Sequence, residues 1–175
     1  LGFTPRRDFR RYNPSFRYSP RPHAHPYIRR FGFGGDLDFY TDTGNRPVTK
    51  EMDFTVTRVE LHSGDNVEAS VVPTYERLEE DFTISSGITL PAGSSYSFTR
   101  FRVSGQTANK RVFSFQPRIE WGRFLSGTRT QTSLTVGVRP RPGVTLNLST
   151  EWNDVDLQEG AFQTRLFRMV ADTQF

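Results

Sequence analysis

The sequence predicts an all-β fold, an antiparallel up-and-down transmembrane β-barrel of which about nine long strands lie in this chain. Three observations carry that expectation. Apolar and polar residues alternate with period two along several segments, so each segment has one apolar and one polar face when extended. Those segments run to roughly 10 to 14 residues, enough for a strand tilted about 45° to cross a bilayer core, whereas soluble strands commonly have about 5 or 6. Tight turns and longer polar links alternate along the chain, as they do when short turns gather on one rim of a barrel and long loops on the other. Composition agrees, because 14% of the 175 residues are aromatic and 16 are Phe, a bias toward strands. No run of about 20 apolar residues is present, which excludes a transmembrane helix. The mean hydropathy of −0.59 does not exclude membrane strands, since alternation averages each one to mild polarity.

The whole of 1–175 is expected to be a single domain, an incomplete barrel whose residues 1–13 form an Arg-rich leading segment. The first thirty residues hold eight Arg against the one acid Asp8, a charge of +7 that leaves −3 for the rest of the chain's +4. Interleaved Arg and aromatic residues suit single-stranded nucleic acid. Phe16 and Tyr18, however, flank Arg17 at strand spacing between Pro14 and Pro20, so a first strand is expected there and nucleic acid is not expected as a partner. From 27 to 42, Phe31, Phe33, Gly35, Leu37 and Phe39 share one face and Arg30, Gly34, Asp36 and Asp38 the other. Between 51 and 61 the apolar parity passes from Met52, Phe54 and Val56 to Val59 and Leu61, which places a β-bulge near Thr57 or Arg58. Phe113, Phe115, Ile119 and Trp121 alternate with Ser114, Gln116, Arg118 and Glu120. Thr132, Leu134, Val136 and Val138 oppose Gln131, Ser133 and Arg139, and Val144, Leu146, Leu148, Thr150 and Trp152 oppose Thr145, Asn147, Ser149 and Glu151. Pro140-Arg141-Pro142-Gly143 between these two segments reads as a hairpin turn.

Residues 63–66, 107–110 and 140–143 are expected as tight turns on one rim, with the turn around His23 to Pro26 beside them. Residues 42–49, about 80–94, 125–129 and 153–160 are expected as longer loops on the other rim. Phe39, Tyr40, Trp121, Phe124 and Trp152 fall near that second rim, as an interfacial aromatic girdle requires.

No pattern calls for a cofactor, and none is expected. Cysteine is absent, which removes disulfides, thiolate metal sites and Cys nucleophiles together. Gly32-Phe33-Gly34-Gly35 lacks the following helix that a phosphate loop needs. His23-Ala24-His25 offers two imidazoles without a third ligand and sits between Pro22 and Pro26, so it reads as a turn rather than a metal site. Asn153, Asp154, Asp156 and Glu159 read as a solvated loop rather than a calcium site. The chain has no nucleophile elbow and no triad, and no catalytic residue is assigned; a glycan hydrolase, which needs two carboxylates at about 5 to 9 Å, is the weakest functional reading. Six residues are expected to face the lumen: Asp36, Asp38, Arg118, Glu120, Asn147 and Glu151, with the charges paired along the wall. The rival fold is a soluble all-β ligand-binding domain with the same alternation turned inside out, and strand length argues against it.

Five stretches also carry a family likeness. Pro5-Arg6-Arg7-Asp8-Phe9-Arg10-Arg11-Tyr12, Tyr18-Ser19-Pro20-Arg21-Pro22, Ile28-Arg29-Arg30, Phe39-Tyr40-Thr41-Asp42 and Asn153-Asp154-Val155-Asp156-Leu157 resemble, in the same order, a bacterial barrel domain of unknown function found C-terminal to a family-nine carbohydrate-binding module. The resemblance implies the outer membrane of a Gram-negative bacterium, outer-membrane lipid as a partner, and an N-terminal carbohydrate-binding domain in the same full-length protein. It further implies strands after Phe175. A role in transport or surface binding is the leading functional expectation, and its extension to oligosaccharides rests on the resemblance. It brings no catalytic residue with it.

Overall fold

The computed structural model describes residues 9–173, and among them every regular element is a β-strand. The strands are β1 (Phe9–Tyr12), β2 (Ser15–Tyr18), β3 (Ile28–Asp42), β4 (Pro47–Leu61), β5 (Asn66–Arg77), β6 (Phe82–Ser85), β7 (Ile88–Leu90), β8 (Ser95–Gln106), β9 (Phe113–Phe124), β10 (Gly127–Arg141), β11 (Val144–Leu157) and β12 (Gly160–Thr173). Ten of them make one antiparallel sheet in the order β1-β3-β4-β5-β8-β9-β10-β11-β12, with β2 beside β1 on the same edge of β3. Each long strand lies next to the following one, an up-and-down meander, and β6 and β7 form a separate hairpin inside the β5–β8 link. Among the described residues no pairing joins the β1/β2 edge to β12.

The expected leading segment is sheet from Phe9 onward; its residues 1–8 lie outside those described. β1 and β2 act as one strand broken at Asn13-Pro14. Phe9–Tyr12 pairs with the end of β3 and Ser15–Tyr18 with its middle. At the break the Asn13 amide donates to the Leu37 carbonyl (3.0 Å) and the Leu37 N–H to the Pro14 carbonyl (3.0 Å). The bulge expected near Thr57 or Arg58 falls between Thr55 and Thr57, where the β4–β5 register slips. It moves the apolar parity from Phe54 to Val59, so both reach the same face.

Cross-strand register sets which side chains share a face, because directly paired residues point the same way. Gly35, Phe54, Val71, Phe101, Trp121 and Thr130 form one row across six strands. Below it on this face stand Ile119, Leu134, Leu148, Phe167 and Met169, all exposed, with Phe167 at 73%. The opposite face is polar, yet there Ser70, Thr74 and Glu120 are buried without a second sheet over them. Glu120 is 3% exposed and its neighbour Trp121 39%. A single sheet produces that asymmetry by curling toward its polar side.

Two sequence expectations need correction at the rim that carries the β3–β4, β5–β8, β9–β10 and β11–β12 links, called the upper rim below. The longer loops expected over 125–129 and 153–160 are two-residue turns, Leu125-Ser126 and Gln158-Glu159, and Asn153, Asp154 and Asp156 belong to β11. Above the apolar band the polarity of the two faces inverts, with Asp154 and Asp156 on the side of the band and Val155, Leu157 and Phe162 on the other, while the ladder continues. The β9–β10 turn also lacks the Asn-Gly or Asp-Gly that announces a tight hairpin, and Leu125 adopts φ +50° in its place. Within the expected girdle, Tyr40 and Phe124 point to the polar face.

At the lower rim, Asp65 in the β4–β5 turn clasps the β8–β9 link. Its carboxylate accepts from the Ala108 N–H (2.8 Å), Ser63 Oγ (2.8 Å) and Arg111 Nη2 (2.8 Å). The Ala108 amide first, then Ser63 and Arg111, hold this carboxyl at about 2, below its ordinary 3.8. A depressed folded value means that the clasp stabilises fully above the ordinary value and is lost as pH falls through about 2. We expect the Ala108 amide to be protected from hydrogen exchange at neutral pH and to lose that protection near the acid value, with Asp65→Asn unprotected throughout. Protection unaffected by either change would contradict the clasp.

Candidate functional site

The polar face gathers its charges into a lattice centred on Glu120 in β9. Arg100 and Arg102 in β8 stand opposite that strand, and each has two carboxylate partners. Arg100 Nη1 meets Glu120 Oε1 at 2.8 Å while its Nη2 reaches Glu51 Oε2 at 2.7 Å and Thr74 Oγ1 at 3.2 Å. Arg102 Nε meets Glu120 Oε2 at 2.9 Å, and its Nη1 bonds Asp53. Arg118, two residues before Glu120 on the same face, donates to Glu120 Oε2 at 3.1 Å. Glu120 therefore accepts from three guanidinium groups, which offsets the cost of burying its charge. Because Glu51 and Asp53 lie on β4, both Arg side chains cross over β5, tying four strands together from the polar side.

The six residues expected at a lumen all stand on this face, as the register of β3, β9 and β11 requires. Their surroundings differ. Arg118 and Glu120 form the expected wall pair. Asp38 binds Arg11 of β1 through two bonds (2.6 and 2.9 Å), and Asp36 meets Arg17 of β2 at 3.6 Å. Asn147 sits across from Gly137, and its amide oxygen would crowd any Cβ placed there. Glu151 pairs in register with Ser133 and makes no ion pair among the described residues. Asp36 faces Asp53 and Asp38 faces Glu51 across the β3–β4 ladder, so four carboxylates cluster. Each is engaged by its own Arg, an ion-pair lattice rather than the free acid and nucleophile of a glycosidase.

Sequence reasoning missed Arg100, Arg102, Glu51 and Asp53. The signal was present as Arg100 and Arg102 flanking Phe101, and as Glu51 and Asp53 flanking Met52. What sequence does not supply is register, which alone brings two carboxylates of β4 to two Arg of β8. Among the described residues His/Asp/Glu groupings able to hold a metal are absent, and His25 instead accepts from the Tyr27 and Ile28 amides through Nδ1 (3.2 and 2.9 Å).

The β6–β7 hairpin covers the upper end of this face. Its base is closed by Leu78 N–H to Ser94 O (2.9 Å), Gly93 N–H to Leu78 O (2.8 Å) and Ala92 N–H to Asp81 Oδ1 (2.8 Å). Its tip buries Ile88 against Val155 and Leu157 of β11, with Phe124, Leu125 and Phe162 around them. A hairpin rooted between β5 and β8 meets β11 and β12 only because the sheet between them curls. The close fit also explains Gly160, where a Cβ would lie 3.0 Å from Ile88 Cδ1.

No protein-family model, curated protein or solved structure matches this chain.

Removing a buried partner from the lattice should cost far more than removing an exposed one. Glu120→Gln removes the buried carboxylate that three Arg share, leaving Arg118 without its partner and Arg100 and Arg102 with one each, and should lower stability by about 3 to 5 kcal/mol. Glu68→Gln removes only a 3.5 Å contact to the half-exposed Arg58 and should cost less than about 1 kcal/mol. Urea unfolding of both variants measures the contrast, and equal losses would rule out Glu120 as the keystone.

Proposed function

We propose that this chain forms part of the wall of an outer-membrane β-barrel in a Gram-negative bacterium, its Arg–carboxylate face lining a polar lumen that passes or binds polar solutes, oligosaccharides among them. One observation carries this reading: a sheet one layer thick exposes its large apolar side chains on one face while the other buries Glu120 among its Arg partners. In water that arrangement is backwards, since contiguous exposed apolar patches of this extent mark an interaction surface. In a bilayer it is the expected order, with an apolar band outside and polar residues within.

The band has an upper edge consistent with an interface. Tyr12, Trp121 and Trp152 stand at the top of the apolar face, and above or beside them come Arg10, Lys50, Arg123, Asp154 and Arg165. Aromatic rings at headgroup level and charges beyond them follow the cost of placing charge in hydrocarbon. Eight strands of 12 to 15 residues exceed the span that a tilted strand needs. Inside, the lattice presents paired donors and acceptors rather than a field of one sign, which suits hydroxyl-rich solutes better than bare ions. The link to sugars rests also on the family resemblance. The β6–β7 hairpin, folded over the upper end of the polar face, would stand in the mouth of such a lumen.

Fractionation of the native protein tests this reading. The protein should sediment with outer membranes, resist alkaline carbonate and dissolve only in detergent. Its appearance in the soluble fraction without detergent would overturn the proposal.

A further inference from the structure

Neighbouring long strands in this sheet pair along most of their length, except at one seam. The β8–β9 register runs only from Arg100 to Ser104 against Arg118 to Gly122. Above it, Ser95–Thr99 stay paired with β5 and Arg123-Phe124 with β10, so β8 and β9 part toward the upper rim. The last contact before the split is tight. Gly122 has φ +141°, and a Cβ there would be driven into the Thr99 carbonyl.

The split opens a groove of about 800 Å³ on the apolar face. Met52, Pro73, Phe101 and Trp121 give it an apolar floor, with the Phe101 and Trp121 rings 6.0 Å apart. Hydroxyls of Ser97, Thr99, Thr128 and Thr130 line its upper walls. Lys50 and Arg123 flank it, and neither makes an ion pair among the described residues, whereas most Arg of the polar face do. They stand on opposite sides of the parted seam, Lys50 on β4 and Arg123 on β9, and their long side chains flank the groove from both sides. On the same face Asp154 and Asp156 of β11 pair with Thr130 and Thr128 at the outer side of the groove wall, and Arg10 and Arg165 stand farther out.

We infer that this groove binds a phosphorylated glycolipid: acyl chains on the Met52–Trp121 floor, sugar hydroxyls against the Ser and Thr walls, and phosphate between Lys50 and Arg123. The inference rests on the membrane reading given above. Within a bilayer, strand edges that have parted must find polar partners, because lipid tails supply none. A sugar-phosphate headgroup supplies them, and Lys50 and Arg123 set the sign of its charge. The hydroxyl-rich walls favour a glycolipid over a glycerophospholipid, whose headgroup offers fewer hydrogen-bonding groups at that level.

The test uses the full protein in detergent micelles, titrated with a purified diphosphorylated glycolipid and followed by native mass spectrometry. Lys50→Glu/Arg123→Glu should weaken retention about tenfold or more, the loss expected when two surface cations are reversed. Arg165→Glu, on the same face of β12 but outside the groove, should leave it unchanged. The dephosphorylated glycolipid and phosphatidylglycerol should each bind the unaltered protein more weakly. Equal retention by the double variant, or phosphatidylglycerol held as well as the glycolipid, overturns the inference. Insertion into liposomes is scored separately. A protein that inserts but binds without regard to Lys50 and Arg123 refutes the groove alone, and one that never inserts refutes the membrane reading beneath it.

Discussion

A single β-sheet has two faces, and the described residues build one long sheet and a small hairpin, so no second layer spans either face. This constraint governs the rest of the molecule. The polar side is covered by curvature, which brings Arg100 and Arg102 over β5 to Glu51 and Asp53 and shuts Glu120 away from solvent. Among the described residues nothing covers the apolar side, and Trp152, Phe167 and Met169 remain open. In a soluble fold that side would lie against another layer of secondary structure. On our reading lipid takes the place of that layer.

Charge and curvature depend on each other here. Guanidinium groups that span a middle strand hold best when the sheet bends toward them, and the bend keeps water away from Glu120. The hairpin adds a second tie on the same side. It leaves between β5 and β8, crosses the seam where β8 and β9 part, and buries Ile88 on β11. At that seam the Phe98 and Phe124 rings meet edge to face at 5.6 Å, and Arg129 lies over Phe124. Side chains and the hairpin thus bridge the wall where backbone pairing ends. Leu125, with its positive φ, is held in the same cluster.

Much of this architecture was legible in the sequence because period-two alternation is strongest where the two sides of a sheet meet different surroundings. Along β3, β9, β10 and β11 the faces follow from residue identity, and the slip in β4 is visible as a change of parity from Val56 to Val59. Alternation misleads where it inverts, as at Val155 and Leu157, which are apolar on the otherwise polar face while Asp154 and Asp156 stand on the other. Residues 153–157 therefore read as loop although they continue β11, and the four-residue β6 was invisible inside a polar link. Phe9–Tyr12 was hidden by its Arg content, which β3 balances with Asp38 from across the ladder. The charge node was the least legible feature, for its four missed members come from two strands that only register brings together.

The central claim is that the face bearing Trp121 and Trp152 meets hydrocarbon. These are the two Trp of the chain, and both point to the apolar side. Fluorescence of the protein folded into liposomes reports their surroundings directly. Lipids brominated along the acyl chain should quench both strongly while aqueous iodide quenches them weakly. Strong iodide quenching with no effect of bromine would place that face in water and contradict the account.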